Sequence, residues 1–267
     1  MAILIRFSFL LILMSQAKAN DQAKIAITLS PHLTELVFSA GGADNLMGVS
    51  AYSNYPVEAT NKQIIGDAFH LNLELISEIN PDVIFYWHNG TPLQTIEQLN
   101  SLGFNLVNID ISYLADIPKA IHQIAQILNS QPAEDVNLFA SQLSQIRQQT
   151  MNRIKQSALI QISDQPIFTV NGQHWMSEAI QVCGLNNVFK DLTSLSAAVT
   201  LEAVVLNKPD VIIRLEPLQD ENQLSRWSSI PAIANQHIAV LEADHFTRPT
   251  LRTLAAIKSL CKQVNEF

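Results

Sequence analysis

Aromatic and histidine side chains are concentrated in the segments that follow the predicted strands. In an open parallel α/β sheet, ligands bind beyond the carboxyl ends of the strands, so these segments could form a site. Flat aromatic surfaces with a few polar groups suit a large planar ligand. The same rings could instead close the ends of the hydrophobic core, and both interpretations stay open here. The residues concerned are Tyr52, Tyr55, Phe69, Trp87, His88, His174, Trp175, His245 and Phe246.

One charged pair, Asp244 and Arg248, lies in the last of these segments. Its spacing allows an ion pair that orders its own loop. It equally allows a carboxylate and a guanidinium to be presented to the amide or phosphate groups of a ligand. The sequence favours neither role over the other.

The motifs of the common catalytic sites are missing from the sequence. It has no G-x-S-x-G, no G-x-G-x-x-G after a strand, no P-loop and no H-E-x-x-H. We therefore expect a binding protein and not an enzyme, without a resident cofactor or metal. An alternative is a transition-metal receptor in which several histidines surround the ion. Its ligands would be His70, His88, His174 and His245.

The elements that carry these residues alternate between strand and helix, which indicates an α/β fold with parallel sheets. Strands are predicted at 25–29, 46–49, 83–87, 104–109, 167–170, 211–215 and 237–241. Between the halves, apolar residues at three- and four-residue spacing predict a helix over 114–129. A second helix is predicted from Pro132 to about residue 156. No Gly- or Ser-rich linker separates the two halves, so we expect a stiff connection.

An internal repeat relates the two halves of the chain. Residues 73–74 and 81–84 recur identically as residues 201–202 and 209–212, all at an offset of 128. Each copy follows a helix-capping residue, runs through a helix to a Pro-Asp pair and enters a strand. The repeat therefore places Glu74 and Glu202 at equivalent points of two related lobes.

The first residues have the pattern of an export signal. Arg6 precedes a short apolar run, and Ala17-Lys18-Ala19 is a small-x-small cleavage pattern, so cleavage is expected after Ala19. The apolar run is far shorter than the roughly 20 residues that span a bilayer. Loss of Arg6 and Lys18 would change the net charge from −8 to −10. An acidic chain without a basic cluster argues against a nucleic-acid partner.

Cys183 and Cys261 are the two cysteines of the chain. An even pair in an exported protein indicates a disulfide. A zinc site would need more ligands at tight spacing, and the sequence offers none. We therefore predict a Cys183–Cys261 bridge that ties the last helix to the second half.

A series of short segments, spread over nearly the whole chain after the leader and including both cysteines, carries a family resemblance. They are Ile27–Pro31 with Thr34–Leu36, Tyr52–Pro56, Asn72–Glu74, Pro81–Ile84, Gln98-Leu99 with Leu102-Gly103, Val182–Gly184 with Asn187–Phe189, Asp244-x-Phe246-x-Arg248 and Leu260-Cys261. In these segments the sequence resembles the class III periplasmic binding proteins for siderophores, haem and cobalamin, and it is most similar to the cobalamin binders.

The resemblance implies two Rossmann-like lobes with parallel sheets, joined by a single long helix, with the ligand in the cleft between them. The implied division is a signal peptide at 1–19, an N-terminal lobe at 20–112, a connecting helix at 113–130 and a C-terminal lobe at 131–267. The implied function is capture of cobalamin or a related corrinoid by a periplasmic monomer, which delivers it to the permease dimer of an ABC importer. A haem, ferric-siderophore or transition-metal receptor of the same fold is the alternative.

Residue roles follow from the resemblance position by position. Glu74 and Glu202 match paired surface carboxylates that engage arginines on the two permease subunits, and two equivalent acids suit a partner with two-fold symmetry. Tyr52, Trp87, Phe168 and the Asp244–Arg248 loop match positions in the cleft. The full ligand-binding set predicted is Tyr52, Phe69, Trp87, His88, Phe168, His174, Trp175, Asp244, Phe246 and Arg248.

Two positions depart from the family pattern. The cobalamin binders have a tryptophan just before the Asn-Leu-Glu segment, where this chain has Ala68-Phe69. They have another shortly before the second docking glutamate, where this chain has 196–198, Ser-Ala-Ala. Phe69 and Trp175 could replace the lost rings. Because His88 and His174 could ligate a ligand metal, cobalamin, another cobamide and haem all remain open.

Overall fold

A computed structural model of the protein describes residues 24–217 and 223–267. The expected signal peptide, 1–19, lies outside the described residues. The first lobe has five parallel strands in the order β3-β2-β1-β4-β5. They are β1 (Ala26–Thr28), β2 (Leu46–Ser50), β3 (Gln63–Gly66), β4 (Val83–Tyr86) and β5 (Leu106–Asn108), with helices α1 (Pro31–Ser39), α2 (Leu73–Ile79) and α3 (Leu93–Ser101) between them.

The predicted alternation of strand and helix in this lobe is confirmed. Residues 26–28 and 83–85 are buried at every position, as expected for central strands covered on both faces. Strand β3 was not predicted, because its Gln63-Ile64-Ile65-Gly66 segment is half exposed and lies at the edge of the sheet.

Helix α4 (Asp116–Leu128) connects the lobes, and α5 (Glu134–Thr150) follows it as the first helix of the second lobe. The buried face of α4 includes Ile117, Ile121 and Ile124, which are the apolar positions that predicted it. Asn129 adopts a left-handed conformation (φ 55°) and ends α4, close to the end of the connecting helix predicted at 113–130. Helix α5 ends before the predicted residue 156, because a strand begins there.

The second lobe has a parallel sheet of four strands and a separate antiparallel sheet of three, with the orders β12-β11-β6-β9 and β10-β8-β7. The strand predicted at 167–170 is present, but it pairs antiparallel with its neighbours and not within the parallel sheet. The elements are β6 (Gln156–Gln161), β7 (Ser163–Asp164), β8 (Ile167–Val170), α6 (Trp175–Val182), β9 (Leu185–Asn187), β10 (Ser196–Val199), α7 (Leu201–Asn207), β11 (Val211–Glu216), α8 (Pro231–Ala234), β12 (Ile238–Glu242), α9 (Ala243–Thr247) and α10 (Thr253–Asn265).

The internal repeat corresponds to a repeated structural unit. Helices α2 and α7 each have 7 residues, and a side chain caps each of them. The Asn72 side chain accepts from a backbone N–H of α2 at 3.0 Å, and the Thr200 side chain accepts from a backbone N–H of α7 at 3.2 Å. In each lobe the aspartate of the Pro-Asp pair binds the start of the neighbouring strand. Asp82 accepts from the Ile25 N–H at 2.7 Å, and Asp210 accepts from the Ser157 N–H at 3.0 Å.

The hydrophobic core is continuous from the first sheet, through α4 and α5, to the second sheet. The predicted disulfide is confirmed: it joins Cys183, at the end of α6, to Cys261 in α10, with the two Cα atoms 4.8 Å apart. It fixes the last helix against the second lobe.

Within the described ranges, none of the helices has the length and apolar character needed to cross a membrane.

Candidate functional site

A cavity of about 430 Å³ lies between the two lobes. Its volume is within the range of about 300–1,000 Å³ that small-molecule sites occupy. Both lobes contribute to it, through the segments that follow β4, β5 and β8. The lining residues are Trp87, Asn89, Ile111, Ser112 and Tyr113 from the first half of the chain and Gln173, His174, Trp175 and Leu195 from the second.

Trp87 forms the wall of the first lobe. Its ring meets the ring of His32 edge-on, with the centroids 5.2 Å apart. His32 is buried, and its Nδ1 lies 3.1 Å from the Ser30 hydroxyl. Burial, assisted by the positive charge of Arg248, lowers the pKa of His32 to about 3. The support behind Trp87 is therefore uncharged at neutral pH.

His174 and Trp175 form the opposite wall. His174 caps α6, because its Nδ1 accepts from the Met176 N–H at 3.2 Å. Burial lowers the pKa of His174 to about 4, so this ring is also neutral and carries its proton on Nε2. Trp175 is 3% exposed, and its ring packs against Phe246 at 6.2 Å between centroids.

Phe246, predicted to contact the ligand, has no exposed surface. Helix α9 places this ring in the core, beneath Trp175, and not on the ligand side of the wall. Phe246 supports the cavity wall from behind and does not face the cavity.

A group of charged and polar side chains joins the lobes elsewhere along the strand ends. We call Glu35, Asn54, Asp244, Arg248 and Arg252 the polar latch. The Arg248 guanidinium donates to Glu35 Oε1 at 3.2 Å and to Asn54 Oδ1 at 2.7 Å, and it pairs with Asp244 Oδ1 at 2.9 Å. Asn54 Nδ2 in turn donates to Asp244 Oδ2 at 3.0 Å. Arg248 thus forms the loop ion pair that its spacing allowed, and it also binds the first lobe.

Glu35 is the centre of the polar latch. This carboxylate is 3% exposed and lies on the buried face of α1. Besides Arg248, it accepts from Arg252 Nε at 2.9 Å and from a second nitrogen of the same guanidinium. The Arg252 guanidinium also lies over the Tyr55 ring, 4.1 Å from its centroid. Two arginines therefore neutralise a carboxylate that burial alone would destabilise.

Sequence reasoning missed Glu35, Asn54 and Arg252 as partners. The available signal was an acidic residue among apolar neighbours on the buried side of α1, which demands a cationic partner somewhere in the fold. The identity of that partner could not be read from spacing, because Arg252 is 217 positions away.

The comparisons with known proteins agree with this architecture. The family model described as "Periplasmic binding protein" matches residues 26–245. The chain belongs to this family.

Individual relatives support the same placement. The chain is 34% identical over 260 residues to a vitamin B12-binding protein of Vibrio vulnificus, covering 96% of this chain and 95% of that one. It is also similar to the crystal structure of the periplasmic vitamin B12 binding protein BtuF of Vibrio cholerae, with a TM-score of 0.83, 29% identity and coverage of 91% and 97%. The periplasmic haem-binding protein HutB of Vibrio cholerae shares the fold, with a TM-score of 0.75 and 17% identity over 91% of this chain and 99% of that one.

Besides Phe246, Asp244 and Arg248, four of the ten predicted ligand residues do not line the cavity. Tyr52 and Phe69 are 80% and 82% exposed, His88 is exposed, and Phe168 is half-buried on β8 opposite Ala198. Tyr52 adopts a φ of 66°, which is disfavoured for a residue with a side chain, and its carbonyl accepts from Arg248 at 3.2 Å. The polar latch therefore holds this turn while the Tyr52 ring stays in solvent.

The histidines of the metal alternative do not form a metal site in the structure. Across 24–217 and 223–267, no group of three or more His, Cys, Asp or Glu side chains is arranged to hold a metal ion. His70 Nδ1 lies 3.8 Å from Asp67 Oδ1, and His245 Nδ1 lies 3.0 Å from Glu242 Oε2. Each of these two histidines therefore contacts a carboxylate of its own segment.

Glu74 and Glu202 occupy the predicted equivalent positions. Each is the second residue of its 7-residue helix, α2 or α7, and each side chain is exposed. A carboxylate in the first turn complements the helix dipole, typically by about 0.3–1 kcal/mol. Because such a contribution needs no partner, the geometry leaves both carboxylates available for an external contact.

Proposed function

We propose that this protein captures cobalamin or a related corrinoid in the cleft between its lobes and delivers it, in the periplasm, to the permease dimer of an ABC importer. The observation that carries the proposal is the cavity walled by Trp87 on one lobe and by His174 and Trp175 on the other. Uncharged aromatic walls on both sides suit a large, flat ligand. The vitamin B12-binding relative at 34% identity supports the same ligand class.

The role of the protein in this proposal is binding alone, without a chemical step. Trp87 supplies most of the apolar contact area, since Trp175 is 3% exposed, and the amides of Asn89 and Gln173 supply hydrogen bonds at the rim of the cavity. Asp244 and Arg248 reach a ligand only by exchanging bonds that they make with each other and with Asn54. We therefore assign the affinity chiefly to the aromatic walls.

Haem is the second candidate, because the haem-binding protein HutB has the same fold. An axial bond from His174 Nε2 would require the proton to move to Nδ1. The Nδ1 atom would then lose the hydrogen bond from the Met176 N–H that caps α6. This cost favours the corrinoid, whose binding does not need His174 as a metal ligand.

Titration of the purified protein with cyanocobalamin and haemin, followed by calorimetry and absorbance, tests the ligand. We expect a 1:1 complex with cyanocobalamin and weaker or no binding of haemin. A tight complex with haemin and no heat with any corrinoid would replace the proposal by a haem receptor.

Delivery depends, in this proposal, on Glu74 and Glu202. The double variant Glu74→Arg/Glu202→Arg should bind the corrinoid with unchanged affinity and lose uptake in cells, because like charges at the contact repel. Glu97→Arg/Glu134→Arg is the matched control, since it makes the same charge change on exposed positions of α3 and α5, away from α2 and α7. Normal uptake by the first variant, at normal protein level, would remove both carboxylates from the docking surface.

A further inference from the structure

A second cavity, of about 550 Å³, lies in the second lobe. It is lined by residues that precede β6 and by the start of β9, and so it lies at the amino ends of these parallel strands. The cleft residues follow the carboxyl ends of strands. The two cavities share no lining residue.

The second cavity collects positive charge in an acidic chain. Arg147, Arg153 and Lys155 line it, whereas Glu178 is its one acidic lining residue. The whole chain carries a net charge of −8. Like charges held together in a concave surface repel one another, so an arrangement with three cations and one acid favours an anion among them.

Among the residues that the structure describes, carboxylates neutralise only part of this charge. Arg147 pairs with Glu178 Oε1, and the other oxygen of Glu178 accepts from the Leu114 N–H at 2.7 Å. Arg153 donates to the Cys261 carbonyl at 3.2 Å, which leaves its charge without a carboxylate. The Lys155 ammonium makes no hydrogen bond or ion pair with the residues of 24–217 and 223–267. Two positive charges, those of Arg153 and Lys155, therefore have no carboxylate partner in the described part of the chain.

The other lining groups restrict the chemistry of the ligand. The amides of Gln181 and Asn186 are exposed at the cavity and can donate hydrogen bonds, while Val182 and Leu185 give it apolar walls. Guanidinium and ammonium groups bind carboxylates and phosphates through charge-assisted hydrogen bonds. With two unneutralised charges, the complementary ligand is a small oxyanion of charge −2 or more.

We propose that this second cavity is a binding site for a small polyvalent oxyanion, carrying phosphate or carboxylate groups, and is separate from the cleft. Arg153 and Lys155 hold the ligand, with Arg147 shared between it and Glu178. Glu178 limits the affinity, since it occupies Arg147 and repels an anion.

Lys155 attracts the anion and Glu178 repels it, so substitutions of these two residues should change the affinity in opposite directions. Calorimetry uses inorganic phosphate and citrate as separate probes at about 0.15 M ionic strength, where exposed charges beyond about 8 Å are screened. We expect 1:1 binding of at least one probe, and the preferred probe identifies a phosphate or a carboxylate site. Lys155→Gln should weaken binding of the probe about tenfold. Glu178→Gln should tighten binding several-fold, because it releases Arg147 and removes a repelling charge. The glutamine oxygen still accepts from the Leu114 N–H, so the local structure is kept.

Matched variants separate a site from general electrostatics. Lys190→Gln and Glu97→Gln make the same charge changes at exposed positions outside the cavity. Both should bind the probe as the wild type does, and thermal unfolding of all four variants should verify that they are folded. No binding of either probe would overturn the proposal. Equal shifts in the matched variants would overturn it as well, since the effect would then be long-range charge alone.

Discussion

The aromatic cavity and the polar latch both lie where the lobes meet at the strand ends, yet they use opposite chemistry. The cavity is walled by uncharged rings, since burial holds the pKa of His32 at about 3 and that of His174 at about 4. The polar latch is built from charges, with Glu35 bound by both Arg248 and Arg252.

Under the proposed function, the cavity holds the ligand and the polar latch holds the lobes together. In the polar latch nearly every charged atom has a protein partner, so this region joins the lobes at the expense of free ligand-binding groups. The cavity instead leaves a volume of about 430 Å³ between rings that need no partner. Damage to the two regions should therefore have different readouts, namely stability for the polar latch and affinity for the cavity.

The largest expected effect is on stability, from Glu35→Ala. The substitution leaves two arginines, 12% and 14% exposed, without their shared carboxylate. Removing one partner from a buried ion pair typically costs about 3–5 kcal/mol. Urea unfolding should show a loss of that size, whereas Glu58→Ala at an exposed position should change the free energy of unfolding by less than about 0.5 kcal/mol. A loss below about 1 kcal/mol for Glu35→Ala would mean that the polar latch does not hold the lobes.

The next effect is on affinity, from Trp87→Ala. Loss of one aromatic wall should remove about 1–3 kcal/mol of binding free energy, which is roughly a ten- to hundredfold weaker complex with cyanocobalamin. Calorimetry measures this change. Trp227→Ala removes a half-exposed tryptophan outside the cavity and should bind as the wild type does. Equal affinity of Trp87→Ala and wild type would contradict the assignment of affinity to the aromatic walls.

The sequence predicted best what is encoded locally. The repeat at 73–84 and 201–212 predicted the equivalence of α2 and α7, because caps, helix length and strand entry are all set by neighbouring residues. It did not reveal β6. The strand follows a polar helical stretch, and the Asp210–Ser157 contact lies at a different chain offset from its counterpart, Asp82–Ile25.

Contacts between distant segments could not be predicted from spacing. The segments of Tyr52, Trp87, His174 and Trp175 were correctly placed at strand ends, since α/β alternation fixes where those ends lie. Whether a ring at a strand end faces ligand or core is decided by tertiary packing. That is why Phe246 is buried, and why Arg248 is engaged by Glu35 from 213 positions away.

The smallest effect concerns the pH dependence of stability, through His174. Its pKa is lowered from 6.5 in the unfolded chain to about 4 in the fold, because burial disfavours the charged ring. Between about pH 6.5 and 4 the unfolded chain therefore binds a proton that the folded chain does not. Stability from this group is complete above pH 6.5 and is lost as the pH falls through that window.

His174→Gln removes this proton uptake and should make the decline in the free energy of unfolding between pH 7 and about pH 4.5 shallower than in the wild type. Urea unfolding at a series of pH values measures the slope. His122→Gln, which replaces an exposed histidine on α4, is the matched control and should keep the wild-type slope. An unchanged slope in His174→Gln would show that this ring takes up its proton equally in the folded and the unfolded chain, so that the aromatic wall would become charged below about pH 6.5. The cavity and the polar latch differ in chemistry only if the cavity wall is uncharged. This measurement therefore tests whether the two regions differ in charge or only in their location between the lobes.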